Sequence, residues 1–239
     1  MKKFRHTLYT IVMIIALIAF LASGGYLLLH HMQGQKTENA FRELTVDGGH
    51  DLAALHKKNS DIAGWIKIDD TRVDYPVMWT PDDPEFYLRR NFQKEESIAG
   101  TPFLDANSLM PGSSNWLIYG HNMKNGTMFH DILGYDDYEF YEKHKQIHFD
   151  TLEGDGLYEV AAVCYTKIYN QEDQVFKYYE YACITDEDSF NNYVQNVKAM
   201  SIYDTGVTPV WGDQLITLST CEYSVEDGRF IIIARKIEE

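Results

Sequence analysis

The chain has 239 residues and a mass of 27.7 kDa, with 45 % hydrophobic and 14 % aromatic residues. That is one large domain or two small ones, with enough apolar material to bury a core, which excludes global disorder. Lys and Arg number 21 against 36 Asp and Glu, a net charge of −15, so a nucleic-acid partner is disfavoured; three Cys and six Pro exclude a disulfide-dense scaffold and a Pro-rich filament.

The charge is unevenly spread. Lys2, Lys3 and Arg5 sit at the N-terminus, and Leu8 to Leu29 then runs without a charged residue. As a helix this stretch reaches roughly 33 Å, about one hydrocarbon core. With the cations on its N-terminal side, the positive-inside rule puts residues 1–7 in the cytoplasm as a stub, 8–29 in the membrane as a single-pass signal-anchor, and the rest outside the cell. Two other readings are weaker. A cleaved signal peptide ending near Ala22-Ser23-Gly24 is disfavoured because apolar residues continue through Tyr26-Leu27-Leu28-Leu29. A buried core helix is disfavoured by the length and the flanking charges. Without the three leading cations the remainder carries −18.

Residues 30–49 are polar and read as an extracellular spacer. Asp51 can cap a short helix through Leu52, Ala53, Leu55 and His56. Ile62–Ile68 and Val73–Val77 then read as two short strands about a tight turn, and further strand-like runs follow at Gly100–Leu104, Asn115–Tyr119, Gln146–Leu152, Leu157–Ile168, Gln214–Leu218 and Phe230–Ile237. Helical windows fall at Pro84–Arg89, Thr127–Leu133 and Asp186–Met200. The last has acidic residues at its start and an apolar stripe of Phe190, Tyr193, Val194 and Val197. Many short strands with few long helices predict a mainly β, closed or nearly closed barrel over residues 50–239.

Chemistry is sought first among the thiols. Cys164 lies in an apolar strand and reads as a buried, inert thiol. Cys183 follows an aromatic segment with nothing to activate it, and a Cys164–Cys183 disulfide is left open. Cys221 ends the run Leu215–Thr220, so it stands at a strand end, exposed yet rigidly held. Arg229 begins the next strand. In an antiparallel hairpin the guanidinium lies beside the sulfur, able to stabilise a thiolate and an oxyanion.

A cysteine nucleophile also needs a proton shuttle. Of nine His, His121 stands at a strand end after Trp116–Gly120, with Gly120 allowing close approach. His144 and His148 have i, i+4 spacing but no obvious third metal ligand, and read as solvent-facing. His130 reads as packing or surface.

Together these motifs resemble those of sortases, the surface-anchoring transpeptidases of Gram-positive bacteria. Thr217-Leu218-Ser219-Thr220-Cys221 with Arg229 downstream is similar to the sortase Cys signature, Tyr119-Gly120-His121-Asn122-Met123 to the His motif, and Asp74-Tyr75-Pro76-Val77 to an early-strand motif. Within the family the chain is most similar to class B, and the resemblance covers roughly residues 50–237. It implies an eight-stranded β-barrel with an N-terminal helix and a helix inserted before the Cys strand. It implies that Cys221 attacks the carbonyl of a Thr in a C-terminal sorting signal, that His121 serves as acid and base, that Arg229 holds the oxyanion, and that no metal or cofactor is needed. The acyl-enzyme is resolved by a cell-wall or pilin amine, or by water. Asn91 falls where class B enzymes contact substrate with an Asn. Ser219 and Glu222 flank Cys221 and either shape the site or make turn and solvent contacts.

Arg235 shares a strand face with Arg229 but lies about 20 Å along, too far for the Arg role. A papain-like amidase is disfavoured because His121 precedes Cys221 by 100 residues. The other alternative is a non-catalytic, membrane-tethered β-barrel that binds a ligand.

Overall fold

The computed structural model describes residues 9, 11–25, 41, 43–45 and 49–237. The predicted stub, both ends of the predicted membrane span and most of the predicted spacer lie outside these residues. Inside the span, residues 11–25 form helix α1 with exposed apolar side chains such as Ile14, Ile18 and Leu21. Among the described residues no helix is long and apolar enough to cross a membrane.

From residue 49 on, the elements follow the predicted order. Helix α2 (Leu52–Lys58) is capped by Asp51, whose carboxylate accepts from the Ala54 N–H at 2.9 Å. Strands β1 (Ile62–Lys67), β2 (Asp74–Met78), β3 (Phe103–Leu104) and β4 (Asn115–Tyr119) come next, followed by helix α3 (Tyr138–Lys143), β5 (Gln146–Thr151), β6 (Leu157–Lys167), helix α4 (Glu187–Met200), β7 (Leu215–Cys221) and β8 (Gly228–Ile237). The windows at 84–89 and 127–133 are short 3-10 helices, Phe86–Arg89 and Phe129–Asp136. Helix α3 has no counterpart in the sequence reading. Packing also begins within the predicted spacer, since Phe41 and Leu44 are buried in the core and Phe41 meets the Tyr75 ring edge-on.

The eight strands close into a barrel in the order β1-β2-β3-β4-β7-β8-β6-β5. Two neighbours are parallel, β2 with β3 and β4 with β7; the others are antiparallel. The β4–β7 pairing is the important one, because it joins strands far apart in sequence, with Tyr119 opposite Ser219.

Strand periodicity explains the interior. On β8, Phe230, Ile232 and Ala234 point into the barrel, while Ile231 and Ile233 point outward under α4. Both faces are therefore buried, which is why 230–234 reads as a continuous apolar run instead of an alternation. Helix α4 presents the predicted stripe of Phe190, Tyr193, Val194 and Val197, all buried against β4, β6, β7 and β8. Each such side chain contributes about 1.5–3 kcal/mol. The Asp186 cap on the Ser189 N–H, 2.8 Å, adds about 1 kcal/mol, so the stripe and not the cap holds the helix.

Polar atoms on the outer face are satisfied in the same interface. The Tyr193 hydroxyl lies 2.6 Å from Thr217 Oγ1, and Thr217 donates to Asn115 Oδ1 at 2.9 Å. All three Cys are free. The open question of a Cys164–Cys183 disulfide is thereby settled, with Cys164 buried under α4 and Cys183 exposed. Burial pushes the Cys164 thiol up to about 12, consistent with an inert core residue.

Candidate active site

On β7, Leu215, Thr217, Ser219 and Cys221 alternate onto the outer face of the barrel. On β8, Arg229 lies directly opposite Cys221 in the antiparallel register, as the hairpin argument required. On β4, Leu117 and Tyr119 share that face, and His121 continues it two residues past the strand end. The predicted nucleophile, base and oxyanion holder therefore have the same strand parity at the same rim. Among the described residues they line one cleft of about 400 Å³ with Leu88, Phe103, Asp105, Tyr119, Ile168 and Ser219.

The rim is locally stapled. The Gly120 N–H donates to Ser219 O at 3.1 Å, and Thr220 Oγ1 donates to Gly120 O at 2.7 Å. Gly120 has a packing reason to be glycine, because a Cβ there would stand 2.5 Å from the Phe129 ring. Ser219 is buried, its hydroxyl 2.8 Å from that of Tyr178, and so forms the floor of the cleft behind the sulfur. Burial raises the Tyr178 phenol to about 12, and it stays protonated at neutral pH.

His121 is positioned by a backbone oxygen. Its Nε2 lies 2.9 Å from Leu88 O. A carbonyl only accepts, so Nε2 carries a hydrogen and Nδ1 is the nitrogen whose proton comes and goes. Burial lowers the pKa of this ring, the Leu88 hydrogen bond opposes that, and the charge of Arg89 lowers it further. The neutral, basic form is thus favoured at neutral pH.

Arg229 Nη1 donates to the carbonyls of Gly228 (2.9 Å) and Asp227 (3.3 Å). Among the described residues no carboxylate pairs with it. A guanidinium has five N–H donors, so most of the fork remains for a ligand in the cleft. Arg235, by contrast, is engaged by Glu159 (2.6 Å) and Asp213 (3.6 Å) at the far end of the hairpin, as its distance along the strand implied.

A Sortase domain family model matches residues 66–237. The chain is 35 % identical over 187 residues to Sortase B of Listeria monocytogenes, covering 76 % of this chain and 72 % of that protein. The chain belongs to the sortase family. Among solved structures, sortase B of Clostridium perfringens superposes with a TM-score of 0.70 at 27 % identity, covering 79 % of this chain and 100 % of that one. The Staphylococcus aureus sortase B–substrate complex superposes with a TM-score of 0.67 at 31 % identity, covering 78 % and 84 %. This sortase is a class B cysteine transpeptidase that anchors proteins to the cell wall, and the reading as a non-catalytic binding barrel drops out. Sortase B homologues act at the cell surface, and membership of the family implies sorting-signal proteins as substrates and cell-wall amines as acceptors.

Two residues expected near the sortase cleft are directed elsewhere. Asn91 is buried, with its side chain bonded to Glu95: Oδ1 accepts from the Glu95 N–H at 2.9 Å and Nδ2 donates to Oε2 at 3.3 Å. Glu222 turns its carboxylate onto the Ser224 N–H (2.8 Å) and hydroxyl (2.5 Å). Neither is among the residues lining the cleft. His144 and His148 do not converge, since His144 stacks on Phe140 and His148 lies 3.4 Å from Asp69. Asp105 was missed by sequence reasoning. It accepts from the Tyr119 hydroxyl at 2.9 Å on the cleft wall, and only the β3–β4 pairing brings it there.

Proposed function

We propose that Cys221 is the nucleophile, His121 the proton shuttle and Arg229 the oxyanion holder of this transpeptidase, and that the sorting signal is cut after a Thr. The Cys221 thiol gives its proton to His121 Nδ1 as the sulfur attacks the Thr carbonyl carbon, and the oxygen that becomes negative is met by the Arg229 fork. The C–N bond then breaks, the departing amine takes a proton from His121 Nδ1, and a thioester remains on Cys221. The acceptor amine gives its proton to the same nitrogen, attacks the thioester and expels the thiolate. A cell-wall peptide or a pilin lysine supplies that amine, and water is the slow competitor.

The observation that carries this reading is the shared parity of the three side chains on adjoining strands at one rim, around one cleft. Ser219, as the floor beneath the nucleophile, shapes the acyl site, while Asn91 and Glu222 act on substrate only by turning from their present partners. The chain is divided into a cytoplasmic stub (1–7), a single-pass anchor (8–29), a spacer (30–49) and the catalytic domain (50–239). The uncharged run from Leu8 to Leu29 behind three cations supports this topology.

The test is mass spectrometry of products from a sorting-peptide library incubated with the enzyme and candidate amines. A thioester-linked adduct on Cys221 and its transfer to the amine are expected, and Cys221→Ala should abolish both while leaving the fold intact. Acyl transfer that survives Cys221→Ala would sink the assignment.

A further inference from the structure

The backbone ladder between β4 and β7 ends at Tyr119 opposite Ser219. The catalytic side chains stand two residues beyond it on each strand, where no ladder pair fixes them relative to one another. Side chains take over there. Thr220 reaches the Gly120 carbonyl, and Asn122 Nδ2 donates to the main-chain carbonyl of Cys221 at 3.0 Å. Asn122 is 9 % exposed, and its Oδ1 lies 2.8 Å from His130 Nδ1. We propose that Asn122 and His130 are a positioning pair that holds the main chain of the nucleophile against the strand that carries the proton shuttle. The inference rests on Cys221 being that nucleophile.

The polarity of the chain of bonds is determined. The Cys221 carbonyl only accepts, so the Asn122 amide nitrogen faces it. The Asn122 oxygen, which also only accepts, therefore faces His130, and His130 Nδ1 must carry a hydrogen. His130 thus selects the amide orientation in which Asn122 can donate to Cys221. An amide facing the other way would set two acceptors against each other at the nucleophile.

The segment between the two partners is tightly specified. Asn122 and Met128 form an antiparallel bridge, and the Phe129 N–H donates to His121 O at 2.9 Å. Met128 is buried at φ 58°, ψ −132°, a conformation side-chain-bearing residues avoid, and its N–H donates to the Tyr75 hydroxyl at 3.1 Å. Such a residue persists only where its surroundings over-determine it. The Tyr223 hydroxyl closes the far side, donating to Asn122 O at 3.3 Å. His121 is thereby bracketed, with its own carbonyl tied to Phe129 and its neighbour tied to Cys221. Acyl transfer requires the sulfur and the imidazole to be held in fixed positions about the carbonyl carbon, and a displacement of about 1 Å can cost on the order of a hundredfold in rate.

Isosteric variants separate this role from bulk packing. Asn122→Asp keeps the shape and still accepts from His130, but cannot donate to Cys221 O. His130→Asn puts an amide N–H at the δ position, whereas His130→Asp puts only an acceptor there. In steady-state transpeptidation, Asn122→Asp should lower kcat on the order of tenfold or more, with KM for the sorting peptide unchanged. His130→Asp should lower kcat in the same direction, and His130→Asn should recover most of that loss.

A wild-type kcat for Asn122→Asp, a loss that appears in KM, or equal losses for the two His130 variants would overturn the proposal. Should Asn122→Asp fail to fold by near-ultraviolet circular dichroism, the His130 pair decides alone. Cys221→Ala run in parallel separates the two claims. If it is inactive while Asn122→Asp turns over normally, only the positioning pair falls. If Cys221→Ala itself retains acyl transfer, the nucleophile assignment falls and takes the pair with it.

Discussion

The two ends of the β7–β8 hairpin carry the same residue type in opposite circumstances. Arg235 lies opposite Leu215 at one end, Arg229 opposite Cys221 at the other, on the same face of β8. The difference comes from the strand on the other side. The β6 partner of Arg235 is Glu159, while the β6 partner of Arg229 is Thr166. With Asp213 added, the far end is a closed ion-pair cluster. Among the described residues the near end bonds only to main-chain carbonyls, which leaves its charge open to the cleft. An arginine in this barrel is tied into ion pairs or left open to the cleft according to what its cross-strand neighbour supplies.

The largest effect that sharpens the contrast is at Arg229. Arg229→Ala should lower kcat by about 10²–10³-fold, the usual loss for an oxyanion donor. Arg229→Lys should be nearly as severe, because an ammonium cannot present the fork. Arg235→Ala should leave kcat unchanged. Near-normal turnover of Arg229→Lys would remove the oxyanion role.

The next prediction transplants one end onto the other. Thr166→Glu places a carboxylate directly opposite Arg229, as Glu159 stands opposite Arg235, and should lower kcat on the order of tenfold by engaging the guanidinium. The converse, Glu159→Thr, should leave turnover intact and cost about 1 kcal/mol or less, read as a fall of a few degrees in Tm. Equal kinetics for wild type and Thr166→Glu would break the comparison.

A smaller effect concerns pH. Because burial and Arg89 lower the His121 pKa, the acidic limb of kcat/KM should lie below the ordinary histidine value of about 6.5. Arg89→Gln should move the limb upward. The same shift destabilises the fold in acid. Between the lowered pKa and about 6.5 the unfolded chain binds a proton that the folded one does not, so stability falls as pH drops through that window. A limb at or above the free-histidine value would show that the ring is not buried as described.

Much of this was legible in the sequence because it is local. Two strand-like runs joined by a short turn read as an antiparallel hairpin, and that short-range pairing put Cys221 beside Arg229 before any tertiary information. The start and apolar stripe of α4 were equally plain, because a cap and helical spacing are short-range signals. Helix α3 gave no such signal. Six residues with Tyr141 as the only buried side chain make too weak a stripe to recognise. Asn91 was placed near substrate by resemblance and Glu222 by its place next to Cys221, and local hydrogen bonds to Glu95 and Ser224 direct their side chains elsewhere in this structure.

By itself, the sequence determined the mainly β class, the candidate Cys, His and Arg, and the acidic, N-terminally basic character of the chain. The tertiary structure alone decided how His121 meets Cys221, because the parallel pairing of β4 with β7 is fixed by burial on both faces of the sheet, which no local window contains. It also decided that Asn122 faces the Cys221 main chain with His130 behind it, that Asp105 walls the cleft and that Tyr178 backs Ser219. Each of these is a polar contact between residues distant in sequence, and a hydrogen bond's partner is set by where the chain has already been packed.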